Sequence, residues 1–264
     1  MLADASGRLV DLSHPIRDGM PVYPGDPEVA IGPALTVGVD GVDVAGIRMG
    51  SHTGTHVDAP SHTVRGGRTM ADVALDELVG EAIVVRVAGL ADGEVYDWAR
   101  LEASGALPER LPPIVLIDTG WARWFDDERR TRHPALDPEA ARELLRRGMR
   151  VLGVDTLSPD LTEHGAAEHG AADPGAADPV SLGGAAAKGA DGADGADGAD
   201  GAAEGAAAEG AAGFPVHDLV LGGDRLILEN VAGLDAVPDR VRVGFFPLRL
   251  AGDGAPVRGV AFLD

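Results

Sequence analysis

The chain of 264 residues contains no cysteine. Disulfides are impossible, and any metal site has to be built from nitrogen and oxygen ligands without a soft thiolate. Basic residues are scarce, 22 Lys and Arg against 43 Asp and Glu, and the net charge of −21 disfavours nucleic acid, whose phosphates need a positive surface. No apolar run approaches the roughly twenty residues that span a bilayer, so no membrane association is expected. The opening MLADASGRLVDLSHP has neither a basic start nor an apolar stretch, which predicts no secretory signal and a cytoplasmic protein. With 45% hydrophobic residues the chain has enough apolar content for a substantial core, and a single domain over 1–264 is expected.

One stretch also lacks the means to fold. Residues 161–212, with runs such as GADGADGADGAD, are almost wholly Gly, Ala and acid. Ten acidic groups against Lys188 alone give it −9 of the total charge and leave −12 for the rest. It has too little apolar surface to offset its ordering entropy. A calcium-binding repeat is the alternative, but that repeat has a nine-residue period with paired glycines, and the period here is three. A flexible insert is expected, with His164 and His169 solvated within it and its ends at Asp160 and Phe214 close in space.

What the chain does have is a dense group of ligands. Ser51 to His62 reads SHTGTHVDAPSH and holds three of the eight histidines and an aspartate: His52, His56, Asp58 and His62. Imidazole and carboxylate suit zinc, manganese or iron. A helix here is disfavoured by Gly54, by β-branched Thr53, Thr55 and Val57, and by Pro60. In an extended chain His56 and Asp58 project to the same side, and a bend at Gly54 brings His52 beside them, a three-ligand site from one segment. Pro60 holds Ala59 extended and stiffens the turn that presents His62. The competing interpretation, four solvated side chains on a loop, does not account for four such groups in this order.

Elsewhere Ile83–Val87, Ile114–Ile117, Val151–Val154, Val241–Phe246 and Val257–Leu263 are β-rich runs bounded by Gly or Pro and predict strands. Asp137 before Pro138, an Ala141/Leu144/Leu145 stripe and Gly148 predict a helix leading into the next strand. A second helix is expected over Ala71–Leu78, capped by Thr69 or Asp72. His14 and His133, each before a proline, are expected in turns, and Asp155, Thr156 and Ser158 receive no role. On the residues alone His217 and Glu229, on either side of Gly222-Gly223, read as ordinary surface groups.

The pattern His-x-Gly-Thr-His-x-Asp-x-Pro-x-His at 52–62 resembles the signature of the cyclase-like metal-dependent hydrolases, the family of bacterial kynurenine formamidase and isatin hydrolase. The similarity extends to DLSHPIRDGMPVYPGDP at Asp11–Pro27, IDTGW at Ile117–Trp121, GVDTLSPD at Gly153–Asp160 and HDLVLGGDRLILENVAGLDAVP at His217–Pro238. It implies an α/β fold, a compact swivelling β/β/α domain interrupted by the insert. It also implies two divalent ions, zinc preferred and manganese possible: His52, His56 and Asp58 would hold one, and Asp58, His217 and Glu229 the other. By the same resemblance His62 would be the general acid/base, the alternative being a further ligand. Tyr23 falls where formamidases of the family carry a tryptophan that packs on the aromatic substrate; a core or interface ring is its alternative. The expected partners are a small-molecule substrate and further copies of the chain, as a homodimer or higher oligomer. The implied activity is hydrolysis of an amide in an aryl or cyclic small molecule, with N-formylkynurenine leading. An isatin-like lactam or other cyclic carbonyl compound is the enzymatic alternative, and a non-catalytic metal-containing binding protein the alternative of another class.

Overall fold

The computed structural model describes residues 8–105, 107–162 and 213–263. The strands are β1 (Arg8–Asp11), β2 (Ala30–Leu35), β3 (Val44–Arg48), β4 (His56–Asp58), β5 (Val79–Arg86), β6 (Val95–Tyr96), β7 (Ile114–Asp118), β8 (Ala135–Leu136), β9 (Val151–Val154), β10 (Leu226–Glu229), β11 (Arg240–Pro247) and β12 (Gly254–Leu263). The helices are α1 (Val37–Asp40), α2 (Trp98–Glu102), α3 (Pro138–Arg146) and α4 (Pro215–Gly222). None of the described helices is long and apolar enough to cross a membrane.

Eight strands form one sheet in the order β1-β12-β11-β5-β7-β9-β10-β4, and β4 pairs back onto β12. The sheet thereby closes into a barrel-like ring, with its two potential edges joined at β12. β5, β7, β9 and β10 run parallel, and the others pair antiparallel. The parallel strands are near-continuous apolar runs because both of their faces are covered. Alternate residues separate cleanly. Val84, Ile114, Leu116, Val151 and Leu228 join Val243, Phe245 and Val57 in a core with no contribution from the helices, so this is the face the ring encloses. Ile83, Val85, Val115, Ile117, Leu152 and Ile227 face outward against Leu144 of α3 and Val216, Val220 and Leu221 of α4. Gly153 is required where β9 crosses the enclosed face, since a Cβ there would lie 2.4 Å from Leu116 Cδ2. An antiparallel pair, β2 with β3, joined through α1, stands apart with Val37, Val39, Val42 and Ile47 exposed.

The helix expected after Asp137 is present. The Asp137 side chain accepts hydrogen bonds from Glu139 N and Ala140 N, Pro138 occupies the first turn, and Gly148 at φ +109° turns the chain toward β9. The helix expected over Ala71–Leu78 is absent. Two 3₁₀ turns, Met70–Asp72 and Leu75–Glu77, replace it, separated by extended Val73. Asp72 accepts from Thr69 N and Glu77 from Ala74 N, so each acid closes its own short turn. With only Met70 and Leu78 buried there is no apolar stripe to carry a longer helix.

The insert's run, with His164 and His169, lies outside the described residues. Its flanks meet: Asp160 accepts hydrogen bonds from Val216 N at 2.9 Å and His217 N at 3.1 Å, capping α4 across a gap in sequence. Excision of 163–212 with a short Gly/Ser bridge is therefore expected to leave the melting temperature within about 4 °C of the parent and metal content unchanged, measured by calorimetry and elemental analysis. A loss of cooperative unfolding would show that the segment is part of the core.

Candidate metal centre

β4 is the spine of the site. Its extended backbone sends His56 and Asp58 to one side and Val57, fully buried, to the other. Gly54, at φ +64°, makes the bend that places His52 alongside, and a Cβ there would press on Met20 Cε at 3.1 Å. Ala59 is extended ahead of Pro60, and Pro60–His62 forms a single 3₁₀ turn. Glu229 enters by register: in the β10–β4 pair it lies directly opposite His56. Asn230, the next residue, is left-handed at φ 54°, and its Nδ2 donates to Gly54 O at 3.1 Å while its own carbonyl accepts from Thr55 Oγ1 at 2.6 Å. These bonds tie the end of β10 to the bend. His217 arrives from the buried face of α4.

Each of the three buried or half-buried imidazoles has one nitrogen satisfied from outside the cluster. His56 Nδ1 donates to Gly54 O at 2.8 Å, His217 Nδ1 to Asp160 Oδ2 at 2.7 Å, and His52 Nε2 to Asp253 Oδ2 at 2.9 Å. The remaining nitrogens face carboxylate oxygens. His52 Nδ1 lies 2.8 Å from Asp58 Oδ1, and His56 Nε2 is 3.3 Å from the same atom and 3.2 Å from Glu229 Oε2. His217 Nε2 is 3.2 Å from Glu229 Oε1 and 3.6 Å from Asp58 Oδ2. Although these atoms are close, His56 Nε2, Asp58 Oδ2 and Glu229 Oε1 are buried without a properly directed hydrogen bond. Imidazole lone pairs pointed at carboxylate lone pairs repel unless a cation sits between them, either protons or a metal.

The electrostatics agree. Burial opposes charging His52, yet the Asp58 carboxylate, helped by Asp253, overrides it and pushes the imidazole up to about 9. Burial is overridden in the same way at His56 by Asp58 and at His217 by Asp160, and both are raised well above the ordinary value. Burial alone would raise Asp58, but the facing His56 and His52 hold it well below the usual carboxylate range. Among the described residues three groups have ligand atoms within 4.8 Å of one another; two of them, His52/His56/Asp58 and Asp58/His217/Glu229, have Asp58 in common, and the third, His52/His62/Asp253, lies at the edge. The donor set of the two that share Asp58 is hard to borderline and fits a divalent ion in each.

His62 borders this cluster. Its side chain is 32% exposed, its ring centroid is 4.1 Å from that of His52 and 5.7 Å from that of His217, and its Nδ1 is 3.2 Å from Asp253 Oδ2. Tyr23 is half-buried on the His217 side, its hydroxyl donating to Thr162 O at 3.4 Å and its ring meeting Phe214 edge-on at 6.4 Å. Burial and the nearby Glu229 charge push its phenol up to about 12, so it is neutral. Sequence reasoning missed Asp160 and Asp253, which hold His217 and His52 from behind. The turn expectation for His14 and His133 needs correction. Neither lies in a turn: His14 sits in irregular backbone and stacks on Phe125 at 3.9 Å, and His133, held extended ahead of Pro134, is fully buried with Nε2 against Thr162 Oγ1 at 2.8 Å. Asp155 is a cap, accepting from Thr119 N, Thr119 Oγ1 and Trp121 N.

With this geometry established, comparison with known proteins is informative. The family model described as "Putative cyclase" matches residues 10–161. Kynurenine formamidase of Paracidovorax citrulli (strain AAC00-1) is 34% identical over 154 residues, covering 58% of this chain and 70% of that protein. Among solved structures, isatin hydrolase A from Labrenzia aggregata, bound to benzyl benzoate, superposes with a TM-score of 0.71 at 22% identity, covering 99% of this chain and 96% of that one. A protein described as a predicted metal-dependent hydrolase from Bacillus stearothermophilus has a TM-score of 0.65 at 24% identity, covering 98% and 99%. The two structural matches establish the shared fold. The chain belongs to the cyclase-like family of metal-dependent hydrolases.

Proposed function

We propose that the protein is an amidohydrolase acting on an aryl or cyclic small molecule, with N-formylkynurenine as its substrate and kynurenine and formate as products. The observation that carries this reading is the pair of buried triads sharing Asp58, each with lone pairs that only cations reconcile. Support for the substrate comes from the 34% identity to a kynurenine formamidase. His52, His56 and Asp58 hold one divalent ion and Asp58, His217 and Glu229 the second; zinc is preferred and manganese is accepted. Ions bound there supply Lewis-acid polarisation of a carbonyl and a nucleophilic water at neutral pH.

The chain's own residues do the rest. Gly54 O and Asp160 fix the His56 and His217 rings so that their Nε2 lone pairs face inward. His62, beside the cluster and open to solvent on one side, takes a proton from the attacking water and delivers it to the departing nitrogen. Tyr23, stiffened by Pro21 and Pro24 and paired with Phe214, presents an aromatic wall for a planar substrate. The protein works in the cytoplasm, and it assembles as a homodimer or higher oligomer, for which the exposed valines and Ile47 of the β2–β3 arm offer an apolar face.

A panel of N-formylkynurenine, isatin and a simple aryl ester, offered to zinc- and manganese-loaded protein, tests the reading. The expected result is formate release from N-formylkynurenine at least about tenfold faster in kcat/KM than ring opening of isatin, abolished by chelation and restored by metal. Preference for isatin would move the assignment to a lactam hydrolase. Binding without product under both loadings would remove the catalytic reading.

A further inference from the structure

Asp253 lies almost two hundred residues from the histidine-rich segment, in the turn just ahead of β12, and the fold places it with care. Its carbonyl accepts from Ala59 N at 2.8 Å, the preceding Gly252 carbonyl accepts from Met70 N at 2.8 Å, and the following Gly254 pairs with Asp58 across β12 and β4. Gly254 lets this backbone run against the His52 ring, since a Cβ there would sit 2.8 Å from His52 Cε1 and 2.9 Å from Val57 O. The carboxylate is thereby delivered to two imidazoles at once. Ser51 Oγ donates to Oδ1 at 2.9 Å, leaving Oδ2 for His52 Nε2 at 2.9 Å and His62 Nδ1 at 3.2 Å.

A surface ion pair made by two long, mobile side chains is worth little, but here a short side chain on a backbone pinned from both sides meets two rings that already touch, tilted with their centroids 4.1 Å apart. One acceptor oxygen with two nitrogens converging on it requires each of those nitrogens to carry its proton. For His52 this leaves Nδ1 as the lone pair that faces Asp58. For His62 it leaves Nε2.

We propose that Asp253 is a positioning residue that holds His62 in the Nδ1–H tautomer, leaving Nε2 to exchange protons with the substrate, and through the same oxygen braces His52. The inference rests on the reading of His62 as the proton shuttle. It also distinguishes this carboxylate from a ligand. His52, His62 and Asp253 have ligand atoms within 4.8 Å of one another, but an ion held there would take the lone pair of His62 Nδ1 and force its proton onto Nε2.

The test is long-range ¹H–¹⁵N correlation spectroscopy of ¹⁵N-histidine-labelled protein at saturating zinc, with the His62 signals assigned from their disappearance in His62→Gln. The wild type is expected to show His62 with a protonated Nδ1 and an unprotonated Nε2. In Asp253→Ala that pattern should collapse toward the Nε2–H form. On the substrate that the wild type turns over, kcat should fall by about 10- to 100-fold with KM changed less than about twofold, and Asp253→Glu should recover part of the loss. Should the alanine variant fold poorly, Asp253→Leu, which fills similar space with no acceptor, gives the same reading. A wild-type proton on Nε2, or an unchanged His62 pattern in the variants, overturns the proposal. The spectra decide it even if none of the substrates is hydrolysed, so its failure and the failure of the hydrolase reading are separable.

Discussion

His62→Ala is expected to lower kcat by roughly 10²- to 10⁴-fold while bound metal and melting temperature stay close to those of the wild type. The geometry separates the two outcomes. All five groups of the paired triads are complete without His62, and its nearest tie is the hydrogen bond to Asp253 rather than to Asp58 or Glu229. Its ring is one third exposed, so truncation leaves no buried cavity and little loss of stability. What the variant does lose is the one imidazole at the edge of the cluster with a nitrogen not committed to a carboxylate. Elemental analysis and steady-state kinetics on the same preparation check the expectation. Loss of metal in step with activity would instead make His62 a ligand.

The legible part of the site was the part encoded locally. His52, Gly54, His56, Asp58 and Pro60 lie within nine positions, and the period-two geometry of an extended strand with a glycine bend is enough to bring their ligands to one side. His217 and Glu229 carried no such signal. Their approach depends on the β10–β4 register, which sets Glu229 opposite His56, and on α4 packing against the outward face of the sheet. Only the family resemblance pointed to them. Asp160 and Asp253 were invisible for the same reason: one reaches His217 across the insert and the other reaches His52 from the turn ahead of β12, the strand paired to β4.

The fold follows the same division. Apolar runs such as IVLI and VLGV announced β7 and β9, but the closure of the sheet through β12 does not reside in any one segment and could not be read from periodicity. Ala71–Leu78 has a helix-forming composition but also acidic side chains that compete with a helix for its backbone donors. Asp72 and Glu77 each satisfy a nearby backbone N–H, and Glu77 is further held by a two-pronged contact with Arg68 at 2.8 and 2.9 Å.

If each triad holds an ion as proposed, Asp58→Asn should abolish metal binding and reduce kcat/KM by at least about 10⁴-fold, because the carboxylate common to the two triads would carry the charge that each ion needs. The same substitution tests the electrostatics without metal. In chelated wild-type protein His52, raised to about 9, and His56 and His217, raised above their ordinary 6.5, contribute stability that is fully present below pH 6.5 and is lost as pH rises through their folded values. Asp58, depressed well below 3.8, contributes stability present above that value and lost only as pH falls through its folded value. Chelated wild type should therefore be most stable between about pH 4 and 6.5 and should weaken toward pH 9. With the carboxylate neutralised, His52 and His56 lose the partner that overrode their burial, while His217 keeps Asp160. The variant should be about 3–5 kcal/mol less stable near pH 6, with a much flatter decline toward pH 9. Denaturant titrations of both proteins across this range measure the difference, and parallel pH profiles would mean that Asp58 does not hold the histidines charged.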